Sequence, residues 1–408
     1  MQQYIGFAGI ALLLGLAWTF STNRRAISKR VVLVGLCSQF VFAFIVTKSI
    51  WGQKILFAVS TAIVKVLEQG AAGAEFVFGD AARAGGNIGF VFAFNVMPVL
   101  IFIAALFEIL YYYGIMQFFI RQVARLMMWA MGVSGAESLD VAASIFLGQN
   151  EAPLTIRPFV AKLTQSEMMT VMVAGMAHVS GSIMAAYIAC GANAYHILGA
   201  VIMTAPGSFL MAKMLVPETE KPETLGVTDL GKLMSGERPK SVLAAIGRGT
   251  ADGLHMVLNI CGMLIAFLSL IALINFIFGH IHAYVPLFPV TIQQVVGWIF
   301  APIAFLIGIP WEQAIQVGGI LGGRMVTNEL VAFTELGKLK DVLDPRSFAI
   351  ATFALCGFAN FSSIGIQMGG IGALAPNRMD DLAKLGFRAM LAGTAANLIS
   401  AAIVGMLI

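Results

Sequence analysis

A succession of long apolar segments constrains this chain to one class of fold. The segments cover residues 5–20, 31–50, 90–113, 166–190, 194–216, 253–279, 346–373 and 388–408. Most of them have the length of about 20 residues that a helix needs to cross the hydrocarbon core of a bilayer. Because backbone groups in lipid must be paired within their own segment, repeated stretches of this kind predict an all-α integral membrane protein with several crossings.

The charge content supports the same class. Charged residues make up 11% of the 408 residues, whereas soluble domains carry about 25%. So little polar material cannot cover the surface of a soluble globule, which excludes a soluble enzyme, a nucleic-acid-binding protein and a secreted scaffold. The first apolar segment is followed by the basic residues of 24–30. Such a cluster predicts a cytoplasmic loop and an N-terminus on the outside.

Three segments do not have the pattern of a simple span. Residues 51–89 carry several charges among apolar residues, which favours interfacial helices. Residues 115–135 have the pattern of an amphipathic helix that lies along the cytoplasmic surface. Residues 217–250 are polar and predict a loop that divides the chain into two halves.

Two further apolar segments are interrupted near their middles. Residues 137–163 break at 148–153, and residues 309–334 break at 322–330. Each arm has about ten residues, which is too short to span the bilayer. Irregular backbone at membrane depth is tolerated where it is buried in protein or lines a wet cavity. These segments therefore predict two re-entrant helical hairpins.

The two interrupted segments resemble each other. Each has an Asn-Glu pair at its break, Asn150–Glu151 in the first and Asn328–Glu329 in the second. Small and polar residues follow in an apolar span roughly 30 residues later, as AHVSGS (177–182) and FANFSS (358–363). This pattern favours an internal structural repeat of the kind that transporters contain, although a match this short can also arise by chance.

Polar side chains at the breaks are the candidate functional residues. A carboxylate in an apolar segment costs several kcal/mol unless it is paired or hydrated, so Glu151 and Glu329 favour a functional role over a structural ion pair or an external loop. The run from Gln149 to Glu151 offers donors and acceptors that match the edge of a nucleobase or an amide-like solute. No cluster of Arg or Lys accompanies it, so an uncharged polar solute is favoured over a phosphorylated one.

A second polar set suits sugar hydroxyls. It combines Glu329 with Asn360, Ser362 and Ser363, and Phe358 could add an aromatic wall. Small residues in this segment are equally compatible with close helix packing.

One histidine is a further candidate. His178 lies inside an apolar span, where it either bonds a backbone carbonyl or exchanges a proton near neutral pH. The chain has no P-loop, HExxH or GxSxG motif, so an intramembrane enzyme lacks its usual marks.

Four motifs in this order and spacing resemble the concentrative nucleoside transporter family, and a bacterial member in particular. They are GQNEAP (148–153), AHVSGS (177–182), VTNELVAF (326–333) and GFANFSSIGIQ (357–367). The resemblance covers the chain from about residue 90 to the C-terminus. It implies about eight transmembrane helices, interfacial helices and two re-entrant hairpins in an inverted repeat, with elevator-type motion in a homotrimer.

The resemblance also implies a division into two domains. A scaffold would comprise residues 1–114 and 251–300, and a transport domain residues 115–216 and 301–408, with 217–250 as a cytoplasmic linker.

The family's substrate contacts carry over to positions of this chain. The resemblance implies that the nucleobase is bound by the first hairpin and the helix after it, at Gln149, Asn150, Glu151 and Ile183. It implies that the ribose is bound by the second hairpin and the next broken helix, at Glu329, Asn360 and Ser363, with Phe358 alongside.

The coupling-cation site departs from the family pattern. Sodium-coupled members commonly have Asn where this chain has Ser144, and Ser where it has His178. Carbonyl groups at Leu147 and Val179 remain available, but the site has lost an oxygen ligand and gained an imidazole, which disfavours a hard cation. We therefore expect proton symport, with His178 or a glutamate carrying the proton and no metal or other cofactor.

The expected function is secondary active uptake of nucleosides across a bacterial cytoplasmic (inner) membrane, driven by protons. The alternatives are sodium-coupled nucleoside symport, a carrier of free nucleobases, a passive channel, and an intramembrane enzyme that uses Glu151 and Glu329 as acid and base. No nucleic-acid partner is expected.

Overall fold

The computed structural model describes residues 2–83, 91–227 and 239–408, and this part of the chain is helical throughout, with no strand. The helices of the first half are α1 (Gln2–Thr19), α2 (Lys29–Thr47), α3 (Ile50–Phe78), α4 (Phe92–Asn95), α5 (Met97–Tyr112), α6 (Ile115–Met131), α7 (Gly135–Ser144), α8 (Arg157–Val160), α9 (Gln165–Ala177), α10 (Gly181–Ala189) and α11 (Ala194–Leu215). Those of the second half are α12 (Val242–Tyr284), α13 (Ile292–Leu306), α14 (Trp311–Val326), α15 (Glu329–Lys338), α16 (Pro345–Leu355), α17 (Phe361–Leu374) and α18 (Met379–Leu407).

The number of possible spans agrees with the fold class predicted from the sequence. Seven helical stretches of the described residues are long and apolar enough to cross a membrane, or eight when the bent pair α13–α14 counts as one span. The all-α membrane fold is therefore confirmed, whereas re-entrant insertion of the hairpins and elevator motion stay predictions.

One segment predicted to be interfacial forms a long helix. Residues 51–89 were expected to form interfacial helices, and residues 50–78 form one continuous helix, α3, whose interfacial location stays a prediction. The stretch Ile50–Ala82 has the length and hydropathy of a membrane span. Its charged residues are few and scattered enough that apolar residues still dominate a span-length window. Residues 84–89 of the predicted segment lie outside the described residues.

Two apolar segments that read as uninterrupted spans contain breaks. The segment 166–190 divides into α9 and α10 at residues 178–180, and the segment 346–373 divides into α16 and α17 at 356–360. Ser180 and Asn360 are the N-caps of the second helices, since each side chain accepts a hydrogen bond from a backbone N–H in the first turn. The first break thus lies inside AHVSGS, and the second ends inside FANFSS, whose last three residues begin α17.

The two hairpin segments also contain a break. In the first, a capping box of Ser134 and Glu137 starts α7, and a turn follows before a short 3-10 helix at Ala152–Ile156 and α8. In the second, α14 has 16 residues rather than about ten, and the break is confined to Thr327 and Asn328.

The predicted polar loop 217–250 is only partly irregular. Residues 217–227 and 239–241 contain no helix, and residues 228–238 lie outside the described residues. The helix α12 already begins at Val242, so the last nine residues of the segment are helical.

Burial separates an inner from an outer set of helices. In the most apolar window of α11, 89% of the residues are buried, and the corresponding share is 83% in the last stretch, which contains α18. In α12 it is 6%. The helices α7, α9, α11, α16 and α18 therefore form the interior that positions the functional site, while α12 packs along α5 and leaves most of its surface uncovered by this chain.

Candidate functional site

The two interrupted helices meet at their breaks. The backbone N–H of Phe358 donates to the carbonyl of His178 over 3.3 Å. Asn397 of α18 donates from Nδ2 to the carbonyl oxygens of Ala177 and Cys356, each over 2.9 Å. Both carbonyls lie where a helix ends and lack the intrahelical partner that a continuing helix supplies. One amide of α18 thus holds the two unwound segments against each other.

A buried arginine joins the second hairpin to this crossing. Arg324 of α14 donates from Nη1 to the carbonyl of Ala354 over 2.8 Å and from Nη2 to Thr394 Oγ1 over 3.1 Å. Its Nη1 also lies 3.4 Å from the side-chain oxygen of Asn397. A buried charge is tolerated when it is satisfied by such partners and by a nearby carboxylate, and Glu329 lies within electrostatic range of the guanidinium. The arginine fixes α14 against α16 and α18.

Residues from both hairpin regions form one continuous polar chain. Gln149 Nε2 donates to Ser363 Oγ over 3.3 Å. The N–H of Ser363 donates to Asn360 Oδ1 over 2.9 Å, and Asn360 Nδ2 donates to Glu329 Oε2 over 3.1 Å. Glu329, Asn360 and Ser363 are buried and Gln149 is half-buried. Four of the residues singled out from the sequence are therefore brought together although more than 200 positions separate the first from the last.

Helix N-termini contribute to the same region. Asn360 caps α17, and Asn328 caps α15 by accepting from the N–H of Val331 over 2.9 Å. Glu329 is the first residue of α15, so its carboxylate lies at the positive end of that helix. A negative or strongly hydrogen-bonding group is stabilised there.

Two aromatic residues that the sequence reasoning missed flank Glu329. The rings of Tyr187 and Phe333 stack with their centroids 4.3 Å apart at an interplanar angle of 21°. Both rings are fully buried, and the Tyr187 hydroxyl faces the Glu329 carboxylate. An aromatic residue in an apolar span has the pattern of ordinary packing, so no sequence signal distinguished Tyr187.

Gln367 is a second missed residue. It lies one turn after Ser363 on α17, is fully buried, and donates from Nε2 to the carbonyl of Met172 over 3.0 Å. Its Oε1 and that of Gln149 are buried without a hydrogen-bond partner in the part of the chain that the structure describes. Both glutamine side chains lie against Gly175, where an added Cβ would clash. The repeated polar pattern of α17 (Asn360, Ser363, Gln367) could have indicated this residue.

The remaining predicted substrate residues lie around the polar chain of Gln149, Ser363, Asn360 and Glu329 but are not part of it. Glu151 is exposed, accepts from the N–H of Gly148 over 3.0 Å, and does not bond to Glu329. Asn150 is exposed and lies against Gly370 of α17. Ile183 is half-buried in the first turn of α10, and the Phe358 side chain is buried.

Glu151 faces a different set of charges. It lies within electrostatic range of Asp252 on α12 and of Glu108 on α5. These two helices belong to the predicted scaffold, whereas Glu151 belongs to the predicted transport domain. The first-hairpin glutamate is thus at the boundary between the two groups of helices.

The predicted coupling residues lie close to one another. The N–H of Gly181 donates to the carbonyl of Phe146 over 3.0 Å, which places the end of α7 against the break between α9 and α10. Ser144 and His178 are buried on these two segments, as is Val179, and Leu147 is half-buried. His178 Nδ1 lies 2.9 Å from the Ala174 carbonyl. The Ser144 hydroxyl and His178 Nε2 have no partner among the described residues.

A cavity of about 520 Å³ lies elsewhere, between α12, α13, α14 and α15. Its walls include Thr327 and Val331 at the break of the second hairpin but none of the residues of the polar chain. The cavity is therefore separate from the candidate substrate site.

Comparison with protein families gives matches along nearly the whole chain. Residues 8–81 match the Na+ dependent nucleoside transporter N-terminus, and residues 196–405 match the Na+ dependent nucleoside transporter C-terminus. The intervening residues 93–194 match a family described as nucleoside recognition, named Gate.

Individual proteins are similar over their full lengths. An uncharacterized transporter of Bacillus subtilis, YutK, is 41% identical over 100% of both chains. The nucleoside permease NupC of Helicobacter pylori is 36% identical over 98% of this chain and 96% of its own. The structure of CNTnw in an inward-facing substrate-bound state superposes with a TM-score of 0.94 at 37% identity, covering 100% of this chain and 98% of that one.

Proposed function

We propose that this chain, which belongs to the concentrative nucleoside transporter family, takes up nucleosides by symport with protons. It is a multi-pass protein of the cytoplasmic membrane, and its relatives are cation-coupled nucleoside transporters rather than enzymes. The finer points, which are the coupling ion, the roles of individual residues and the assembly, are proposals.

The polar chain from Gln149 to Glu329 is the observation that carries the proposed substrate site. The carboxylate of Glu329, the amide of Asn360 and the hydroxyl of Ser363 suit the hydroxyl groups of a ribose, since each ribose hydroxyl both donates and accepts. The Tyr187 ring stacked on Phe333 closes the site behind Glu329. The second hairpin and α17 would thus bind the sugar.

We assign the nucleobase to the Gln149 end of the polar chain. Gln149 reaches Ser363, so a solute held at Glu329 and Asn360 would extend toward the first hairpin. The unpartnered Oε1 of Gln149 can accept from a base amino or imino group. Asn150, Glu151 and Ile183 surround this end and are the proposed further contacts to the base.

Transport is proposed to proceed by movement of one group of helices past another. The buried helices α7, α9, α11, α16 and α18 form a body that is tied at its centre by Asn397 and Arg324. Such cross-linking supports rigid-body movement of residues 115–216 and 301–408 relative to a scaffold of 1–114 and 251–300. The uncovered surface of α12 supports assembly through the scaffold, for which we propose a homotrimer.

Proton coupling is favoured over sodium coupling by the residues at the coupling site. Sodium requires several oxygen ligands at once, and this site offers a serine hydroxyl and an imidazole where sodium-coupled relatives commonly have Asn and Ser. Sodium-coupled symport is the alternative, because the matched family carries sodium dependence in its description.

The test is uptake of radiolabelled nucleosides into proteoliposomes with sodium and pH varied independently. Proton symport predicts accumulation under an inward proton gradient in sodium-free buffer. Strict dependence on sodium would establish the alternative coupling. Competition by adenine in place of adenosine would indicate a nucleobase carrier, and equilibration without accumulation would indicate a passive channel.

A further inference from the structure

Asp140 is a fully buried carboxyl group in the middle of α7. Its relative exposure is 0%, and neither carboxylate oxygen has a hydrogen-bond or ion-pair partner among the described residues. An isolated ionised carboxylate without partners is the most costly state to bury. In this conformation the side chain is therefore accommodated as a neutral acid.

The elements packed against α7 provide no ionic partner for Asp140. They are α6, α9, α11 and the 3-10 helix Ala152–Ile156. Besides Asp140, the charged and titratable side chains of these elements and of α7 are Arg121, Arg125, Glu137, Glu167, Tyr195, His196 and Lys213.

Three of these groups have their own partners at the N-terminal end of α7. Lys213 Nζ lies 2.8 Å from Glu137 Oε2. Glu167 accepts from the hydroxyl of Ser134 over 2.5 Å and from the N–H of Thr164 over 2.9 Å. This buried ion-pair network is closed without Asp140.

The other four are also engaged away from it or directed outward. The Tyr195 hydroxyl donates to the carbonyl of Val46. Arg121 donates to the carbonyl of Gln117, Arg125 is exposed, and the His196 ring lies against Phe353 with centroids 6.2 Å apart. Asp140 is thus a titratable group without an ionic partner on any packed element.

Its position relates it to the coupling site. Asp140 and Ser144 are four residues apart, so they lie on the same face of α7 one turn from each other. The hydrogen bond from Gly181 to Phe146 brings the end of this helix against the break that contains His178. A carboxyl, a hydroxyl and an imidazole nitrogen, all buried and unpartnered, therefore lie along two segments that meet.

We propose that Asp140 is the binding site of the coupling proton, with Ser144 and His178 as the groups through which the proton reaches it. This inference rests on the nucleoside symport proposed above. A proton from water on one side forms an O–H bond with the carboxylate, and the same bond breaks when the protein has moved and water reaches the acid from the other side. No other reactant is consumed.

A proton fits this position better than a sodium ion. The residues next to Asp140 on α7 are the fully buried Leu139, Val141, Ala142 and Ala143. A sodium ion would need several oxygen ligands at the same point, whereas a proton needs one carboxylate oxygen. Asp140 is also outside the set of positions that the resemblance implies for the coupling cation, which are Ser144, Leu147, His178 and Val179.

The test compares Asp140→Asn with Glu137→Gln in proteoliposomes. Asparagine keeps the size of the side chain but cannot exchange a proton. We expect Asp140→Asn to exchange nucleoside across the membrane without a gradient, yet to lose accumulation. With one proton per nucleoside, the wild-type protein accumulates about tenfold per unit of pH gradient. Glu137→Gln, one turn away and paired with Lys213, retains that gradient dependence.

Each outcome separates this inference from the proposed function. Gradient-driven accumulation by Asp140→Asn at the wild-type level would overturn the role of Asp140 and leave nucleoside symport standing. A wild-type protein that moves no nucleoside under any gradient contradicts the proposed function itself. Wild-type accumulation that requires sodium overturns the proton site but leaves nucleoside transport intact.

A second variant keeps the inference testable if Asp140→Asn does not fold. Asp140→Glu retains the acid and adds one methylene, so partial gradient-driven uptake is expected. Infrared difference spectra of the wild type and of this variant should contain a band of a neutral carboxylic acid that shifts between the two proteins. A carboxylic acid band that is unchanged by Asp140→Glu would contradict protonation at this position.

Discussion

Asn397 donates a hydrogen bond from its side-chain amide to the carbonyl of Ala177 over 2.9 Å, across 220 positions of sequence. The same nitrogen bonds to the carbonyl of Cys356. A single side chain therefore satisfies the last carbonyls on both sides of the crossing between the two interrupted helices. Since unsatisfied carbonyls at membrane depth are costly, this amide makes the two breaks stable at the centre of the protein.

The crossing leaves no room for a side chain at Gly357. A Cβ atom there would lie 2.6 Å from the Ala177 carbonyl oxygen and would also clash with the Asn397 amide. Gly357→Ala is expected to lower the free energy of unfolding by about 1–3 kcal/mol, because backbone and the buried amide must move apart. Thermal unfolding in detergent measures the change.

Gly365 provides the matched control for this prediction. It lies on α17, and an added Cβ would have nothing within 4 Å. Gly365→Ala should leave the unfolding temperature unchanged or raise it, because alanine has less freedom in the unfolded chain. Equal effects of the two substitutions would show that the crossing is not closely packed.

Glu329→Gln tests the proposed ribose contact. The substitution keeps the size of the side chain but removes the charged acceptor. A hydrogen bond to a charged group contributes about 1.5–3 kcal/mol, so the apparent affinity for uridine should fall by about ten- to hundredfold. Isothermal titration and uptake measure the loss.

Glu335 is the control on the same helix. It is exposed at the surface and pairs with Lys338 over 2.6 Å. Glu335→Gln should bind and transport like the wild type. Wild-type uptake by Glu329→Gln with an unchanged unfolding temperature would refute the assigned role of Glu329.

Gln149→Ala tests whether the first hairpin recognises the base. The substitution removes the contact with Ser363 and the acceptor at Oε1. Loss of one neutral hydrogen bond of about 1 kcal/mol should weaken nucleoside binding about fivefold and reduce the differences between bases in a competition panel. The exposed Gln165, replaced in the same way, should leave the panel unchanged. A uniform loss across all bases would instead assign Gln149 to the sugar or to packing.

Much of the fold follows from the sequence, because long apolar segments in lipid can only be helices. The breaks in the hairpin segments and the paired Asn-Glu residues were also predictable from polar residues in apolar surroundings. The bounds of α3 were not predictable from the sequence. Its scattered charges predict an interfacial location, and this stays a prediction, because the helix also has the length and hydropathy of a membrane span.

The candidate site could be predicted in part. The residues of FANFSS and the second hairpin were selected because polarity inside a span is costly, and the structure brings Glu329, Asn360 and Ser363 together. Tyr187 and Asn397 were missed for a physical reason. An aromatic residue or a single amide in an apolar helix has many structural roles, and only its partners identify the one it has. Asp140 was missed because it follows other polar residues at a helix start.

The N-cap of α16 should make the stability of the fold depend on pH. Asp344 Oδ1 accepts from the N–H of Ser347 over 2.9 Å and Oδ2 accepts from its hydroxyl over 2.6 Å. Burial raises the pKa of Asp344, but these hydrogen bonds and the Arg346 charge outweigh it and hold the pKa below its ordinary value. A lowered pKa stabilises the fold above the unfolded-state pKa of about 4, and this contribution is lost as pH falls through the folded-state pKa.

The expected result is a smaller acid sensitivity in Asp344→Asn than in the wild type. Unfolding temperatures measured between about pH 6 and pH 3 should fall less steeply for the variant, because asparagine keeps an acceptor that does not titrate. Asp341→Asn, at an exposed residue in the preceding turn, serves as the control and should follow the wild-type curve. Parallel curves for Asp344→Asn and the wild type would argue against this cap as a source of acid sensitivity.

Two substitutions should convert the coupling site to one that responds to sodium. The double variant Ser144→Asn, His178→Ser places an amide oxygen and a hydroxyl oxygen next to the backbone carbonyls of Leu147 and Val179 and removes the imidazole, which is a better set for a hard cation. We expect it to gain sodium-stimulated nucleoside uptake at constant pH, measured with sodium gradients in proteoliposomes. Each single variant supplies one ligand and should gain less than the pair, and replacement of sodium by choline is the ionic control. Because Ser144 and His178 are the proposed path of the proton to Asp140, the double variant should lose most of its response to a proton gradient. A double variant that gains no sodium response, although it folds and binds nucleoside, would show that these positions do not suffice for a sodium site.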